Sequence, residues 1–252
     1  MKPEGTVAEV LANEARFCVV CGERDEVLAA MADAAVDVTI TDPPYNERTH
    51  AHHKTLRGGS VGRVNFGFDA IADFKFVSEM LRATRRWCLA FCALEDLGAY
   101  HAAAGETWVR AGIWHRPDGA PQFTGDRPAQ SAEGVAIMHR RGKRTTWNGG
   151  GGRAHWTHGV ERDDRVHPAQ KPVALMRELV RLFSDPGEVI CDPHAGSGTT
   201  GVAALQEGRR VILVERNPEH AATCRRRLAE TVPGEGSRKA KQLGLFAKAG
   251  AT

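Results

Sequence analysis

Long apolar runs are missing from this 252-residue chain. No stretch approaches the ~20 residues that a membrane span needs. The opening Met1–Gly5 lacks a signal-peptide pattern, so a cytoplasmic protein without membrane association is expected. Strong charge bias is missing too: 34 Lys and Arg against 31 Asp and Glu leave +3, which permits a polyanionic partner without demanding one. Cysteine is scarce, at six. Cys18 and Cys21 have a redox or zinc spacing, but no matching second pair follows, so buried reduced thiols and no metal site are expected. His50, His52 and His53 crowd together without an acidic or thiol partner nearby, which favours a solvated loop over a metal site. With 42% hydrophobic residues, the chain can bury the core of one domain carrying an insertion.

What is present is organised around Thr41-Asp42-Pro43-Pro44-Tyr45-Asn46. It closes a short β-branched run, Val36 to Ile40, that reads as a buried strand. Two consecutive prolines forbid helix and ladder alike, so the chain must turn outward at the strand's carboxyl end. Ligands bind at that end in open α/β sheets. There Asp42 offers a carboxylate, Pro43 a carbonyl freed from pairing, and Tyr45 an aromatic face. Two acceptors beside a stacking surface suit a planar base that carries an amino group.

Around this stretch, residues 1–16 read as a loose lead-in and Phe17–Val20 as a strand. Asp25–Ala32 reads as a short helix, and 47–68 as a long polar loop. Residues 71–86 carry Phe74, Val77, Met80 and Leu81 at helical spacing and lead into a strand at Trp87–Cys92. Leu94–Ala104 predicts a helix, and Thr107–Trp114 and Gly134–His139 predict strands. Residues 142–166 contain four consecutive glycines and must be loop. Over 115–171, ten Arg and Lys face six Asp and Glu. Arg140, Arg141, Lys143, Arg144, Arg153 and His155, interleaved with Trp147 and Trp156, suit phosphate contact and stacking on nucleic acid.

After His167-Pro168-Ala169-Gln170-Lys171-Pro172, Val173–Ser184 predicts an amphipathic helix and Glu188–Asp192 a strand. Pro193-His194-Ala195-Gly196-Ser197-Gly198-Thr199-Thr200 then opens a helix that stops at Gly208. Arg210–Glu215 predicts a strand, followed by Arg216. Asn217 caps a last helix with Pro218 in its first turn. Asp192 and Glu215 stand about 23 residues apart, near the ~20 of dinucleotide folds, and Glu215 can accept from both hydroxyls of a ribose. A dinucleotide dehydrogenase would expect Gly-x-Gly-x-x-Gly, which this turn does not supply.

The order Asp-Pro-Pro-Tyr, variable basic segment, His-Pro-x-Gln-Lys-Pro, then Asp-Pro-x-x-Gly-Ser-Gly-Thr-Thr resembles the β-group of amino DNA methyltransferases. The resemblance implies an α/β, Rossmann-like methyltransferase fold: a mixed, mostly parallel seven-stranded sheet with helices on both faces and an irregular target-recognition insertion. It divides residues 1–232 into a catalytic half (17–117), an insertion (about 118–166) and a cofactor half (167–232). It implies S-adenosylmethionine as cofactor, lined by Asp192, His194 and Ala195 with the Gly196, Ser197, Gly198, Thr199, Thr200 turn, and by Glu215, Arg216 and Asn217. Lys171 and Pro172 would lie near its methionine end. Glu23 stands where the family often has aspartate, and His194 where phenylalanine is common.

By the same resemblance, Asp42 and the Pro43 carbonyl would each accept one N–H of the target amine, with Pro44 shaping the turn and Tyr45 stacking on a base flipped from double-stranded DNA. Cytosine-N4 members usually carry serine at the Asp42 position, so adenine N6 is favoured. Cytosine-C5 chemistry is disfavoured because no Pro-Cys nucleophile occurs. An RNA methyltransferase, or a binding protein that holds the cofactor without turnover, are the rival readings. β-Group relatives are often dimers. Residues 233–252 read as a flexible basic tail in which Gln242-Leu243-Gly244-Leu245-Phe246 is similar to the peptide that docks on a DNA sliding clamp.

Overall fold

The computed structural model describes residues 1–45, 74–119, 121–140, 145–160 and 170–235. The polar loop after Asn46, the residues Arg141, Lys143 and Arg144, the His167-Pro168-Ala169 part of its motif, and the clamp-like peptide lie outside the described residues.

In chain order the elements are β1 (Lys2–Glu4), α1 (Val7–Leu11), β2 (Ala15–Cys21), α2 (Arg24–Ala30), β3 (Val36–Thr41), α3 (Phe76–Ala83) and β4 (Thr84–Cys92). Then come α4 (Leu97–Ala104), β5 (Trp108–His115), β6 (Ala132–His139), β7 (His155–Thr157), α5 (Val173–Phe183), β8 (Val189–Asp192), α6 (Thr199–Gln206), β9 (Arg210–Glu215) and α7 (Pro218–Glu230). One sheet runs β1-β2-β9-β8-β3-β4-β6-β5-β7. It is parallel from β1 through β4; β6 is antiparallel to both β4 and β5, and β7 is parallel to β5.

Among the described residues the sheet has nine strands where seven were expected. The two additions are the edge strands β1 and β7, each three residues long and too short to show a period. The expected lead-in is therefore ordered. Thr6 and Glu9 form a reciprocal cap at the start of α1: the Glu9 N–H donates to Thr6 Oγ1 at 3.3 Å, and the Thr6 N–H to Glu9 Oε2 at 2.7 Å. β4 begins at Thr84 rather than Trp87, because the buried Thr84 hydroxyl satisfies itself on Met80 O at 2.7 Å and Thr84 joins the ladder opposite Val36.

Period-two alternation assigns the two faces. Cys88, Ala90 and Cys92 of β4 pack with α3 and α4, while Trp87, Leu89 and Phe91 face the side that holds Leu175, Leu179, Val202 and Leu228 of α5, α6 and α7. Helices therefore cover both faces. β3 sends the chain to β4 on one side, and its neighbour β8 sends it to β9 on the other. The carboxyl ends of β3 and β8 thus form a topological switch point, where open sheets open a crevice.

Candidate active site

Asp42 follows β3 directly and sits at that crevice. Its Oδ2 accepts from Lys171 Nζ at 2.7 Å. Its Oδ1 is shut off from solvent and has no partner among the described residues. Lys171, only 7% exposed, also reaches Glu133 Oε2 at 3.1 Å and donates to the Tyr45 hydroxyl at 3.2 Å. That hydroxyl in turn donates to Glu133 Oε2 at 2.5 Å, and Arg116 Nη1 lies 3.2 Å from Glu133 Oε1. The ammonium also lies 5.1 to 5.7 Å from the ring centroids of Phe91, Tyr45 and Trp114.

These neighbours set the protonation states. Burial pushes the Asp42 carboxyl up, against the pull of the Lys171 ammonium. Burial works against the charge of Lys171 too, but Asp42 and Glu133 outweigh it and keep its pKa high. Glu133 is held below its ordinary value because Lys171 and Arg116 together overcome its desolvation. The Tyr45 phenol is raised well above its usual range, first by burial and then by the two carboxylates, so it stays protonated.

The glycine turn stands on the adjacent strand end. Asp192, buried at the end of β8, accepts from Thr41 Oγ1 at 2.8 Å, Thr200 Oγ1 at 2.6 Å and the His194 N–H at 3.0 Å. Its carboxylate is spent inside the protein and braces the turn against β3. Burial raises its pKa to about 6. His194 meets Thr41 Oγ1 through Nδ1 at 3.0 Å and Arg24 Nη1 through Nε2 at 2.5 Å. Thr41 gives its proton to Asp192 and the guanidinium can only donate, so the ring carries its proton on Nδ1. Burial, with Arg24 and Arg216 nearby, lowers the His194 pKa to about 3.

Gly196 and Gly198 hold φ of +51° and +79°. Positive φ favours glycine, and a β-carbon on Gly196 would project into open space. Beyond the turn, Glu215 Oε2 accepts from the Gly196 N–H at 2.8 Å and Oε1 from the Asn217 N–H at 2.8 Å. Ser197 Oγ contacts Gln170 at 3.4 Å and Thr199 Oγ1 at 3.3 Å, and the Ala195 N–H bonds Val214 O at 3.0 Å. Pro172 precedes α5 as its cap residue. Arg216 and Asn217 are exposed, and so is Glu23, the cap residue of α2.

Lys171, expected near the methionine end of the cofactor, lies against Asp42, Tyr45 and Glu133. One placement departs from the sequence reading. Trp156, expected on nucleic acid, is 2% exposed on β7 and packs in the core, with its ring 6.2 Å from that of Phe183. Trp147 is half-buried against the same phenylalanine at 6.2 Å. Arg153 and His155 are exposed, and Arg140 reaches Asp33 at 3.2 Å. Glu133, Arg116 and Arg24 were missed, since only tertiary structure joins them to a motif. Among the described residues, no His, Cys, Asp and Glu cluster could hold a metal. Cys18 is buried, but Cys21 is exposed, contrary to expectation.

Comparison with known proteins agrees with this geometry. A DNA methylase family model covering N6 and N4 enzymes matches residues 105–226, just under half of the chain. The chain is 31% identical over 154 residues to type II methyltransferase M.XycI of Xanthomonas campestris pv. cyanopsidis, a match that spans 56% of this chain and 48% of that protein. It thus covers about half the length of that relative. The M1.HpyAVI–SAM complex superposes with a TM-score of 0.63 at 18% identity, over 84% of this chain and 99% of that one. The cytosine-N4-specific PvuII DNA methyltransferase superposes with a TM-score of 0.67 at 14% identity, over 92% of this chain and 94% of that one. Motif order and switch-point geometry point the same way as that match: over residues 105–226 the chain is similar to the DNA methylases, and it shares their fold.

Proposed function

We propose that this protein is an S-adenosylmethionine-dependent DNA methyltransferase that modifies the N6 amino group of an adenine flipped out of a specific sequence. The observation that supports this reading is the buried Oδ1 of Asp42, which has no partner among the described residues, at the switch point beside the strand end that carries the glycine turn. An unsatisfied buried acceptor is costly, and it persists where a ligand completes it. The residues on the cofactor side fit a nucleoside sulfonium. Open space faces Gly196, and the Glu215 carboxylate, ordered by two backbone N–H groups, keeps lone pairs for ribose hydroxyls. When bound, the cofactor would supply an electrophilic methyl group: the nitrogen–carbon bond forms as the sulfur takes the electron pair of the breaking sulfur–carbon bond, and the surplus amine proton leaves to Asp42 or to water.

The chain's own residues make the amine competent. An exocyclic amine is a poor nucleophile because its lone pair is delocalised into the ring. Asp42 Oδ1 accepts one N–H and the Pro43 carbonyl the other, turning the lone pair toward the methyl donor. The same acceptors stabilise the positive charge that grows on nitrogen, an effect worth about 10²–10³-fold per group. Tyr45 supplies the stacking face, and exposed cations such as Arg153 contact phosphate. Aspartate rather than serine at position 42 supports adenine. The PvuII likeness keeps cytosine N4 as the second reading, since either amine can engage the same acceptors.

The test is Asp42→Ala. Transfer of tritiated methyl to unmethylated DNA should fall about 10²-fold or more, while the cofactor Kd measured by calorimetry stays within threefold. Equal loss of both, or unchanged transfer, would refute the assignment.

A further inference from the structure

We propose that Lys171 and Glu133 act as one positioning unit, fixing both the direction of the Asp42 acceptor and the tilt of the Tyr45 ring. The inference rests on the methyltransferase reading above and adds two residues to its base-holding side. An ammonium has three N–H bonds, and the three polar contacts of Lys171 account for all of them: Asp42 Oδ2 at 2.7 Å, Glu133 Oε2 at 3.1 Å and the Tyr45 hydroxyl at 3.2 Å. The Tyr45 hydroxyl closes the ring by donating to Glu133 at 2.5 Å. Three separate chain segments are thereby tied together: the end of β3, the start of β6 and the residues just before α5.

Two consequences follow from this closure. With Oδ2 held by Lys171, the Asp42 carboxylate can rotate only by breaking a buried ion pair, so Oδ1 remains the acceptor left without a partner among the described residues. With its hydroxyl held at both lone pair and proton, Tyr45 keeps one ring orientation. A misplacement of about 1 Å at such a site costs on the order of 10²-fold in rate. Neither Lys171 nor Glu133 needs to touch the base.

Charge gives the unit a signature that packing alone would not. Two cations, Lys171 and Arg116, balance two anions, Asp42 and Glu133. Among the described residues, Tyr45 also bears on Asp42, and Asp192 from β8, Tyr100 from α4 and Cys92 from β4 each feel the Asp42 charge. Of these, Asp192 alone adds another carboxyl, and the thiol and both phenols are held neutral by burial. Glu133 therefore opposes ionisation of Asp42, whereas Lys171 favours it. Removing one or the other must move the titration of Asp42 in opposite directions.

The experiment compares wild type with Glu133→Gln and Lys171→Met, using tritiated S-adenosylmethionine and unmethylated plasmid DNA. It measures kcat against pH, the cofactor Kd by calorimetry, and folding by circular dichroism. Both variants should lose about 10–10²-fold in kcat, with the cofactor Kd within twofold of wild type. The acid limb of the profile should move down by about one unit in Glu133→Gln and up by a similar amount in Lys171→Met. If Lys171→Met does not fold, the downward shift in Glu133→Gln carries the test. Wild-type kcat and acid limb in Glu133→Gln, or loss of cofactor affinity matching the loss of kcat, would overturn the proposal. A wild type that labels no DNA would instead defeat the methyltransferase reading itself.

Discussion

Two alanine substitutions in one turn should have different consequences, because their side chains would point into different surroundings. Gly196 and Gly198 both hold positive φ, which costs an L-residue about 1–2 kcal/mol. At Gly196 that strain is the whole folding penalty, since a β-carbon would meet nothing within 4 Å. At Gly198 it would lie 3.0 Å from Cys224 Sγ and 3.3 Å from Cys224 Cα, which adds an overpacking cost of about 1–3 kcal/mol. A domain of this size shifts about 2–4 °C in Tm per kcal/mol. Gly196→Ala should therefore lower Tm by a few degrees, and Gly198→Ala by about 5–15 °C. Affinity should rank the other way: Gly196→Ala fills the space assigned to the cofactor and should weaken S-adenosylmethionine binding about tenfold or more. Thermal unfolding with and without cofactor, together with calorimetric titration, reads both effects. Wild-type cofactor affinity in a folded Gly196→Ala protein would refute the placement of the cofactor over this turn.

Other substitutions probe the rest of the molecule. Trp156→Ala should cost about 3–5 kcal/mol of stability, read by urea denaturation, because the ring fills the core; a selective loss of DNA affinity at unchanged stability would contradict its burial. Asn217→Ala removes the cap that accepts from the Glu219 N–H at 2.9 Å and the His220 N–H at 3.3 Å, and should cost about 1 kcal/mol in the same assay. His194, with its pKa lowered to about 3, is neutral when folded but gains a proton when unfolded below about pH 6.5. Its contribution is thus complete above pH 6.5 and declines as pH falls toward 3. His194→Phe should gain roughly 1–2 kcal/mol over wild type between pH 7 and pH 5, after allowance for the partial exposure of the ring; parallel pH dependence in the two proteins would refute this. If the tail docks on a sliding clamp, Leu245→Ala with Phe246→Ala should abolish binding in a titration against purified clamp.

Much of this architecture was legible because its signals are local. The β-branched run before Asp42, the glycine turn after β8 and the Asn217-Pro218 helix start each announce themselves within a few residues, and each is found where it was expected. The edge strands β1 and β7 escaped notice because each is three residues long and is defined only by its pairing with another segment, Lys2 opposite Ala15 and Trp156 opposite Trp114. The aromatic-basic segment misled for a related reason. Exposed Arg153 and buried Trp156 alternate in sequence but face opposite environments, which composition cannot separate. Glu133 was invisible because nothing near Ala132–His139 marks it as a partner for residues some 88 and 38 positions away.

The central claim is that a single cleft brings an amine and a methyl donor together between Asp42 and Gly196. Its most direct measurement is nucleoside mass spectrometry of unmethylated DNA after incubation with the purified protein and S-adenosylmethionine. N6-methyladenine is expected at one recurring sequence, present with wild type and absent with Asp42→Ala. Methyl groups on cytosine N4 would contradict the base assignment, and DNA without any methylated base would contradict the claim itself.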